Sequence, residues 1–288
     1  MLTSIENKIG DHQIVVEYGE RRIKAVEGRN DEKGNKEREK AQSQLNEAKE
    51  AKNALEAFKN DVEKNWATTD SRILGHVVYS PPILLGAGSP NEQYTEDYAI
   101  IEVDDNKIDR TKFGGNVVYL GDEIPTWEFT RKMHPSPNSI AFKFPSDRLL
   151  KLRGTIPDSE IRHPTTLDEN RDPCIVVIKQ GSTSGTTIGR SSGIMSFVRQ
   201  YSGDIISKTS KEWAILPYDH KSGAFSVEGD SGAVVVDGQG RVGGLLTGGS
   251  GATASTDITY VTPIDFLLKS IKCRYPDAHL NPTCSRDE

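Results

Sequence analysis

Cysteine and long apolar runs are both scarce in this sequence. Its 288 residues include three cysteines, Cys174, Cys273 and Cys284, an odd number too small for a disulfide scaffold. No apolar run approaches the roughly 18 residues of a membrane helix. The first residues also lack the basic-then-apolar pattern of a secretory signal. We therefore expect a cytoplasmic protein in a reducing compartment, with no membrane partner.

Metal and cofactor motifs are missing as well. Neither CxxC nor HExxH spacing occurs, so we predict no metal site and no cofactor. The 42 acidic residues outnumber the 36 Lys and Arg residues, which gives a net charge of −6. An acidic chain of this kind is a poor general ligand for nucleic acid or a membrane surface.

Charge is concentrated at the front of the chain. Residues 30–66 are nearly half charged, with one glycine and no proline, a composition that favours helix. Their apolar positions recur with helical spacing at Ala41, Leu45, Ala48, Leu55, Phe58, Val62 and Trp66. With a second helix over 14–26, residues 1–70 are predicted to form a charged helical hairpin. It is either a docking or self-association element or, the favoured interpretation, a solvated insertion.

Short β-like runs separated by Gly, Pro, Asn and Asp fill the rest of the chain, which predicts a mostly β protein. Candidate strands are 73–79, 98–103, 116–120, 174–179, 186–190, 194–201, 212–216, 233–237, 242–246 and 258–261, followed by a helix over 263–271. Three strands cannot close a barrel, whereas six or seven can. We therefore predict a partial first β-barrel over 71–125, a connecting segment over 126–172 and a complete second barrel over 173–288.

The strongest local motif is the Gly-Asp-Ser-Gly string at residues 229–232, directly before the apolar run 233–236. A serine between glycines on a tight turn can expose its hydroxyl while nearby backbone N–H groups converge on one point. Acyl transfer needs this arrangement, because a tetrahedral oxyanion requires fixed donors about 3 Å away. Ser231 is the candidate nucleophile, and the N–H groups of Gly229 and Ser231 are the candidate oxyanion donors.

Three other segments support this interpretation. Asp97 stands just before an apolar run that predicts a buried strand, where a carboxylate can orient an imidazole. Residues 179–189 form a Gly- and Thr-rich hairpin pattern upstream of the serine. Residues 243–249 are a glycine-rich strand whose bare backbone could pair with an extended peptide.

Together these segments resemble the trypsin-like, double β-barrel serine proteases. The Asp-Tyr-Ala-Ile-Ile run at 97–101 looks like the family's triad aspartate, and Ser231 looks like its nucleophile. The runs 72–82 and 213–217 and the 179–189 hairpin are similar to a group of fungal intracellular trypsin-like proteins. This resemblance covers nearly the whole chain. It implies a trypsin-like two-barrel fold with an incomplete first barrel, and a peptide or protein substrate.

The family's histidine is the missing element, because a serine needs a base to take its proton. In the family this histidine precedes the aspartate, and here His76, in His-Val-Val, is the better placed candidate. The Thr-Ala-like residues that usually precede it are replaced by Ile-Leu-Gly at 73–75. His76 as a structural strand residue is the favoured interpretation, with the start of the first barrel absent.

The same resemblance locates a substrate pocket. It implies a pocket floor near Phe225, with Thr247, Gly248 and Gly249 along its wall. An aromatic floor would not favour a basic substrate side chain, because no carboxylate would balance its charge. Glu228 is close enough in sequence to reverse this inference.

Two functions follow from these motifs. One is a serine endopeptidase that works through an acyl-enzyme on Ser231, with Asp97 as orienter and His76, or a histidine this chain lacks, as base. The other is a protease-like protein without catalysis, which serves as a binding or regulatory module and contacts its partner through the helical hairpin.

Overall fold

The computed structural model describes residues 2–29, 31–111, 113–135, 142–202, 205–251 and 257–281. The chain divides into two compact units, Met1–His76 and Val77–Glu288.

The first unit is a pair of antiparallel helices, α1 (Leu2–Ala25) and α2 (Glu32–Trp66), followed by the single turn α3 (Thr69–Arg72). Val16 of α1 packs against Leu45 and Ala48 of α2 in a small apolar cluster. Surface ion pairs, including Lys59 to Glu6 at 2.8 Å, connect the two helices along their length. The predicted helical hairpin is confirmed, and its first helix begins well before residue 14.

After the helices, the described chain contains six short strands in three separate two-stranded sheets, which pair β1 with β4, β2 with β3, and β5 with β6. They are β1 (Gly75–Tyr79), β2 (Leu84–Ala87), β3 (Tyr94–Glu96), β4 (Ile100–Val103), β5 (Val117–Tyr119) and β6 (Leu149–Lys151). Three of the four residues of β4 are exposed, Ile101 to 55%. The prediction of a buried strand after Asp97 is therefore wrong.

The remaining strands form a closed barrel. They are β7 (Ile175–Gly181), β8 (Gly185–Ser191), β9 (Met195–Ser202), β10 (Ile205–Pro217), β11 (Val234–Asp237), β12 (Val242–Ser250) and β13 (Ile258–Pro263). The strand order is β13-β12-β11-β7-β8-β10-β9, and β13 also pairs with β10. This last pairing closes six antiparallel strands into a ring and leaves β9 outside it. The predicted mostly β fold with a six-stranded barrel is confirmed.

The barrel is filled by apolar side chains from alternate strand positions. Trp213, Ile215, Val235 and Val261 are completely buried, and they pack together in one cluster. Inside this cluster the Trp213 indole N–H donates to the Ser191 hydroxyl at 2.6 Å, which satisfies its polar atom.

Short helices connect and cover these sheets. They are a 3₁₀ turn (Asp105–Lys107), α4 (Thr126–Met133), α5 (Asp158–Arg162) and the C-terminal α6 (Ile264–Arg274). α6 begins where β13 ends, as the sequence predicts, and buries Leu267 completely. Leu267 and Phe129 of α4 belong to a second apolar cluster, which also includes Ile178 and Val236 of the barrel wall.

Candidate functional site

The Gly-Asp-Ser-Gly segment lies in a tight turn directly before β11. Gly229 and Gly232 have φ angles of 97° and 84°, left-handed values that favour glycine. The Gly232 N–H donates to the Leu246 carbonyl at 2.7 Å, which attaches the turn to β12. Ser231 is exposed and lines an open cleft of about 530 Å³. The turn therefore presents Ser231 to solvent on a fixed backbone.

The side chain of Asp230 is buried, whereas that of Ser231 is exposed. The Asp230 carboxylate accepts hydrogen bonds from the backbone N–H groups of Thr183 (2.9 Å), Ser184 (3.1 Å) and Val227 (3.1 Å). The Ser184 hydroxyl donates a fourth at 2.6 Å. Burial opposes ionisation, but these donors outweigh it and hold the pKa of Asp230 well below its usual range. Asp230 is thus an ionised anchor next to the candidate nucleophile.

Lys179 is the counter-ion of Asp230. Its Nζ lies 3.1 Å from Asp230 Oδ2, and both side chains are completely buried. Lys179 Nζ also donates to the Ser184 hydroxyl at 2.6 Å and to the Gly185 carbonyl at 3.3 Å. Burial lowers the pKa of Lys179, and the bond to Asp230 opposes that shift. This pair connects β7 to the Ser231 turn.

The oxyanion donors that the sequence proposes are the N–H groups of Gly229 and Ser231. Neither N–H has a hydrogen-bond acceptor in the part of the chain that the structure describes. A Cβ at Gly229 would displace the Thr183 hydroxyl, which adds to the preference for glycine that the left-handed φ already sets. The turn can therefore offer two backbone donors to a ligand atom.

Only some of the predicted substrate-binding residues line this cleft. Gly248 and Gly249 do, together with Ser226, Glu228 and Asp257. Thr247 does not, and its hydroxyl donates to the Tyr260 carbonyl at 3.2 Å.

The expectation of an aromatic pocket floor needs correction. Phe225 is only 1% exposed and packs inside the barrel with Trp213 and Ile215. Its ring is held there because its backbone is fixed on both sides. The Phe225 carbonyl accepts from the Thr187 hydroxyl at 2.7 Å, and its N–H donates to Asp257 at 3.1 Å. The cleft therefore contains the Asp257 carboxylate where the sequence suggested a ring.

Asp97 is not among the described residues that line the cleft. Asp97 is an exposed residue of the loop between β3 and β4, and it forms no hydrogen bond with any residue in the described ranges. His76 is the second residue of β1, exposed, and the last residue of the first unit. The described cleft thus brings together Ser231, Gly229 and the two wall glycines, but not Asp97.

The strand that leads to Asp97 is nevertheless attached to the second barrel. Glu212 of β10 is 1% exposed, and its Oε1 accepts from the Thr95 N–H at 3.0 Å and from the Thr95 hydroxyl at 2.5 Å. Its Oε2 accepts from the Thr262 hydroxyl at 3.0 Å. Burial raises the pKa of Glu212, and these hydrogen bonds only partly oppose that shift. The backbone two residues before Asp97 is therefore fixed.

Sequence reasoning missed Lys179, Glu212 and Asp257. A weak signal existed for Lys179, which interrupts the apolar run 175–178, because a charge in a core strand normally has a buried partner. No local signal identifies Asp257, because its place in the cleft depends on the pairing of β12 with β13.

Neither membrane nor metal features are evident in the ranges that the structure describes. No described helix is long and apolar enough to cross a membrane. The described residues also include no group of three or more His, Cys, Asp or Glu side chains placed to hold a metal ion.

Comparison with known proteins finds only distant structural similarity. No protein-family model matches the sequence, and no curated protein matches it either. A chymotrypsin from Cellulomonas bogoriensis is 17% identical, with 64% of this chain and 70% of that chain covered and a TM-score of 0.33. A glutamic acid specific serine protease is 16% identical, with 71% and 75% covered and a TM-score of 0.38. Protease A of Thermobifida fusca is 22% identical, with 43% and 53% covered and a TM-score of 0.29.

Proposed function

We propose that this chain is a serine-type endopeptidase-like protein that cleaves peptide bonds through an acyl-enzyme on Ser231. One observation carries the proposal. Ser231 is exposed on a turn that the buried Asp230–Lys179 ion pair holds in place. The N–H groups of Gly229 and Ser231 on this turn have no hydrogen-bond acceptor among the described residues. A backbone prepared in this way can stabilise negative charge without reorganising during the reaction.

In the proposed reaction, Ser231 Oγ attacks the peptide carbonyl carbon and its proton passes to a general base. The carbonyl oxygen becomes an oxyanion held by the N–H groups of Gly229 and Ser231. The base then protonates the leaving amine as the C–N bond breaks, which gives an ester on Ser231. Water hydrolyses this ester by the same steps and restores the serine.

The base is the open part of this mechanism. Chain order supports His76 as the base and Asp97 as its orienter, in line with the trypsin-like resemblance and its fungal intracellular group. Against this, the Ser231 hydroxyl has no hydrogen-bond partner among the described residues, and Asp97 is exposed. The alternative to His76 is therefore a histidine base that this chain lacks.

Thr247, Gly248 and Gly249 are proposed to bind the substrate backbone. β12 pairs with β11 only as far as Leu245, whereas its pairing with β13 continues to Ser250. The opposite edge of residues 247–249 therefore has no partner strand in the described ranges. An extended peptide that pairs there would run beside Ser231.

The exposed position of Asp97 also supports a second candidate, a non-catalytic, protease-like binding module. In that case the helical hairpin would contact a partner protein or a second copy of the chain. Ile14 and Tyr18 of α1 are 67% and 62% exposed, and such side chains are available for contact. Light scattering over a wide concentration range would test self-association.

A fluorophosphonate probe separates the two candidates, because it bonds covalently only to an activated serine. We expect labelling of the wild type and of Ser80→Ala, an exposed control position, and none of Ser231→Ala. Labelling that falls at least about a hundredfold in His76→Ala would identify the base. A folded wild-type protein left unlabelled would exclude the acyl-enzyme and favour the binding module.

A further inference from the structure

A second groove lies at the end of β11 that is farther from Ser231. Its volume is about 870 Å³, and it shares no described lining residue with the cleft beside Ser231. Two stretches of chain form it, residues 143–153, which include β6, and the turn 238–241 between β11 and β12. The proposed reaction uses none of these residues, so the groove is free for a different ligand.

The turn 238–241 is fixed against the strand side of the groove. The Gly240 carbonyl accepts the Arg153 N–H at 2.7 Å. Gly240 has a φ of 79°, and a Cβ there would collide with the Lys151 carbonyl, so glycine permits this close approach. The Asp237 carboxylate accepts two backbone N–H groups of the turn, both at 2.9 Å. The groove is therefore formed without a ligand, which lowers the entropic cost of binding one.

One of the four cations that line the groove is already neutralised. The Arg241 guanidinium donates to both carboxylate oxygens of Glu160, at 2.7 and 2.8 Å, and to Asp237 at 2.6 Å. The hydrogen bond to Glu160 raises the pKa of Arg241, and Asp237 adds to that shift. Neither carboxylate lines the groove itself. Arg241 thus stabilises the turn and is not a counter-ion for a ligand.

The other three cations of the groove have no counter-ion. Lys143, Lys151 and Arg153 are exposed, and their side chains form no ion pair or hydrogen bond within the described ranges. Asp147 is the only carboxylate among the groove's described lining residues, and its Oδ1 accepts the Leu149 N–H at 3.1 Å. The whole chain, in contrast, has a net charge of −6. This local excess of positive charge attracts an anionic ligand.

Apolar side chains in the groove indicate which kind of anion fits. Phe144 is half-buried and makes edge-to-face contacts with Phe129 and Phe142, with 5.3 and 6.2 Å between ring centroids. Leu149 is 37% exposed, and strand alternation places it on the same face of β6 as Lys151. A nucleic acid gains affinity from many phosphate contacts. An acidic peptide offers carboxylates and apolar side chains together, which matches three cations beside an apolar surface.

We propose that this groove binds an extended acidic segment of a partner protein, with Lys143, Lys151 and Arg153 as its counter-ions and Leu149 as an apolar contact. The binding does not depend on the proposed activity of Ser231. It also differs from docking through the helical hairpin, because every described lining residue of the groove belongs to the second unit.

Two peptides measure the binding on Ser231→Ala, which cannot form the acyl-enzyme. The acidic probe is acetyl-Gly-Glu-Glu-Leu-Glu-Glu-Gly-amide, and its control carries Gln in place of every Glu. Calorimetry should show the acidic peptide binding at least about tenfold more tightly, because only its carboxylates form charge-assisted bonds to the cations. Its affinity should fall at least about fivefold between about 50 and 500 mM salt. Equal affinity of the two peptides, or no binding of either, would overturn the proposal.

Variants then locate the site. The double variant Lys151→Gln/Arg153→Gln should weaken binding of the acidic peptide at least about fivefold. The control Lys221→Gln/Lys272→Gln, which removes two charges from exposed positions outside the groove, should leave it within about twofold. If the first double variant fails to fold, Lys143→Gln decides the question, with an expected loss of at least about threefold. Unchanged affinity in the folded groove variants would contradict the assignment.

Two further ligands separate a peptide groove from a general anion site. Replacing Leu by Ser in the acidic peptide should weaken binding at least about threefold, because the contact with Leu149 is lost. Unchanged affinity would mean that charge alone decides, which contradicts a peptide groove. If a short oligothymidylate binds more tightly than the acidic peptide at the same salt concentration, the groove is a phosphate-binding surface and the proposal is wrong.

Discussion

The two groups of strands that follow the helices differ in how many of their side chains are buried. In the closed barrel, Trp213, Val235 and Val261 are inaccessible to solvent, and even the charges of Lys179 and Asp230 are paired inside. The two-stranded sheets before it leave Val77 and Ile101 more than half exposed. The candidate nucleophile Ser231 stands on the turn before β11 of the closed barrel, and the candidate aspartate Asp97 stands in the loop between β3 and β4 of the more exposed sheets. Preorganisation is therefore built around Ser231 and its turn.

The largest effect is expected from Lys179→Met. The substitution removes the buried cation and leaves Asp230 as an uncompensated buried charge, which typically costs about 3–5 kcal/mol. The free energy of unfolding, from urea titration, should fall by about that amount. Fluorophosphonate labelling of Ser231 should fall as well, because Asp230 holds the turn that carries the serine.

Lys269→Met is the matched control. Lys269 forms a 2.9 Å ion pair with Glu92, but its side chain is 67% exposed, and such pairs contribute about 1 kcal/mol or less. Equal losses in both lysine variants would mean that the Lys179–Asp230 pair has no special structural role. Adding Asp230→Asn to Lys179→Met should recover part of the loss, which would show that the stranded charge causes it.

A pair of valine substitutions compares the two groups of strands directly. Val235→Ala in the barrel should cost about 2 kcal/mol, because it removes fully buried methyl groups and leaves a cavity. Val77→Ala in β1, where the side chain is 58% exposed, should cost about 0.5 kcal/mol or less. The two values come from the same chemical change, measured by urea unfolding. A large cost for Val77→Ala would show that β1 is covered in solution.

A smaller, pH-dependent effect distinguishes two of the buried carboxylates, Asp230 and Glu212. Asp230 has a depressed pKa, so its contribution to stability is present above the ordinary aspartate pKa and is lost as the pH falls below it. Glu212 has a raised pKa, so it holds its proton more tightly when folded, and stability falls as the pH rises from about 4.5 through the folded value.

Glu212→Gln isolates the second effect, because the amide keeps an acceptor for Thr95 but cannot ionise. The stability of Glu212→Gln relative to wild type, from urea titrations between pH 4 and pH 7, should increase with pH. A difference that stays flat over this range would show that Glu212 titrates as it does in the unfolded chain.

The barrel and the serine turn were predictable because their signals are local. Alternating or continuous apolar runs predict strands such as β7 and β11, and Gly-Asp-Ser-Gly predicts an exposed serine on a turn. Asp257 was not predictable, because only the register that pairs Gly249 with Thr259 brings it to the cleft. The exposure of β4 was missed for a related reason. Its run Ile-Ile-Glu-Val has the composition of a buried strand, and burial depends on whether other elements cover it.

The smallest stability change is expected from Asp97→Asn, since Asp97 is exposed and hydrogen-bonds to no described residue. Urea unfolding should differ from wild type by about 0.5 kcal/mol or less, as for the exposed control Asp277→Asn. Because Asp97→Asn should leave the free energy of unfolding almost unchanged, a loss of Ser231 labelling in this variant would come from the reaction and not from unfolding. If Asp97 orients a histidine in solution, labelling of Ser231 should fall at least about a hundredfold in Asp97→Asn and stay unchanged in Asp277→Asn. Equal labelling of both variants would remove Asp97 from the mechanism, so that the activation of Ser231 would depend on its turn and on a base that Asp97 does not orient.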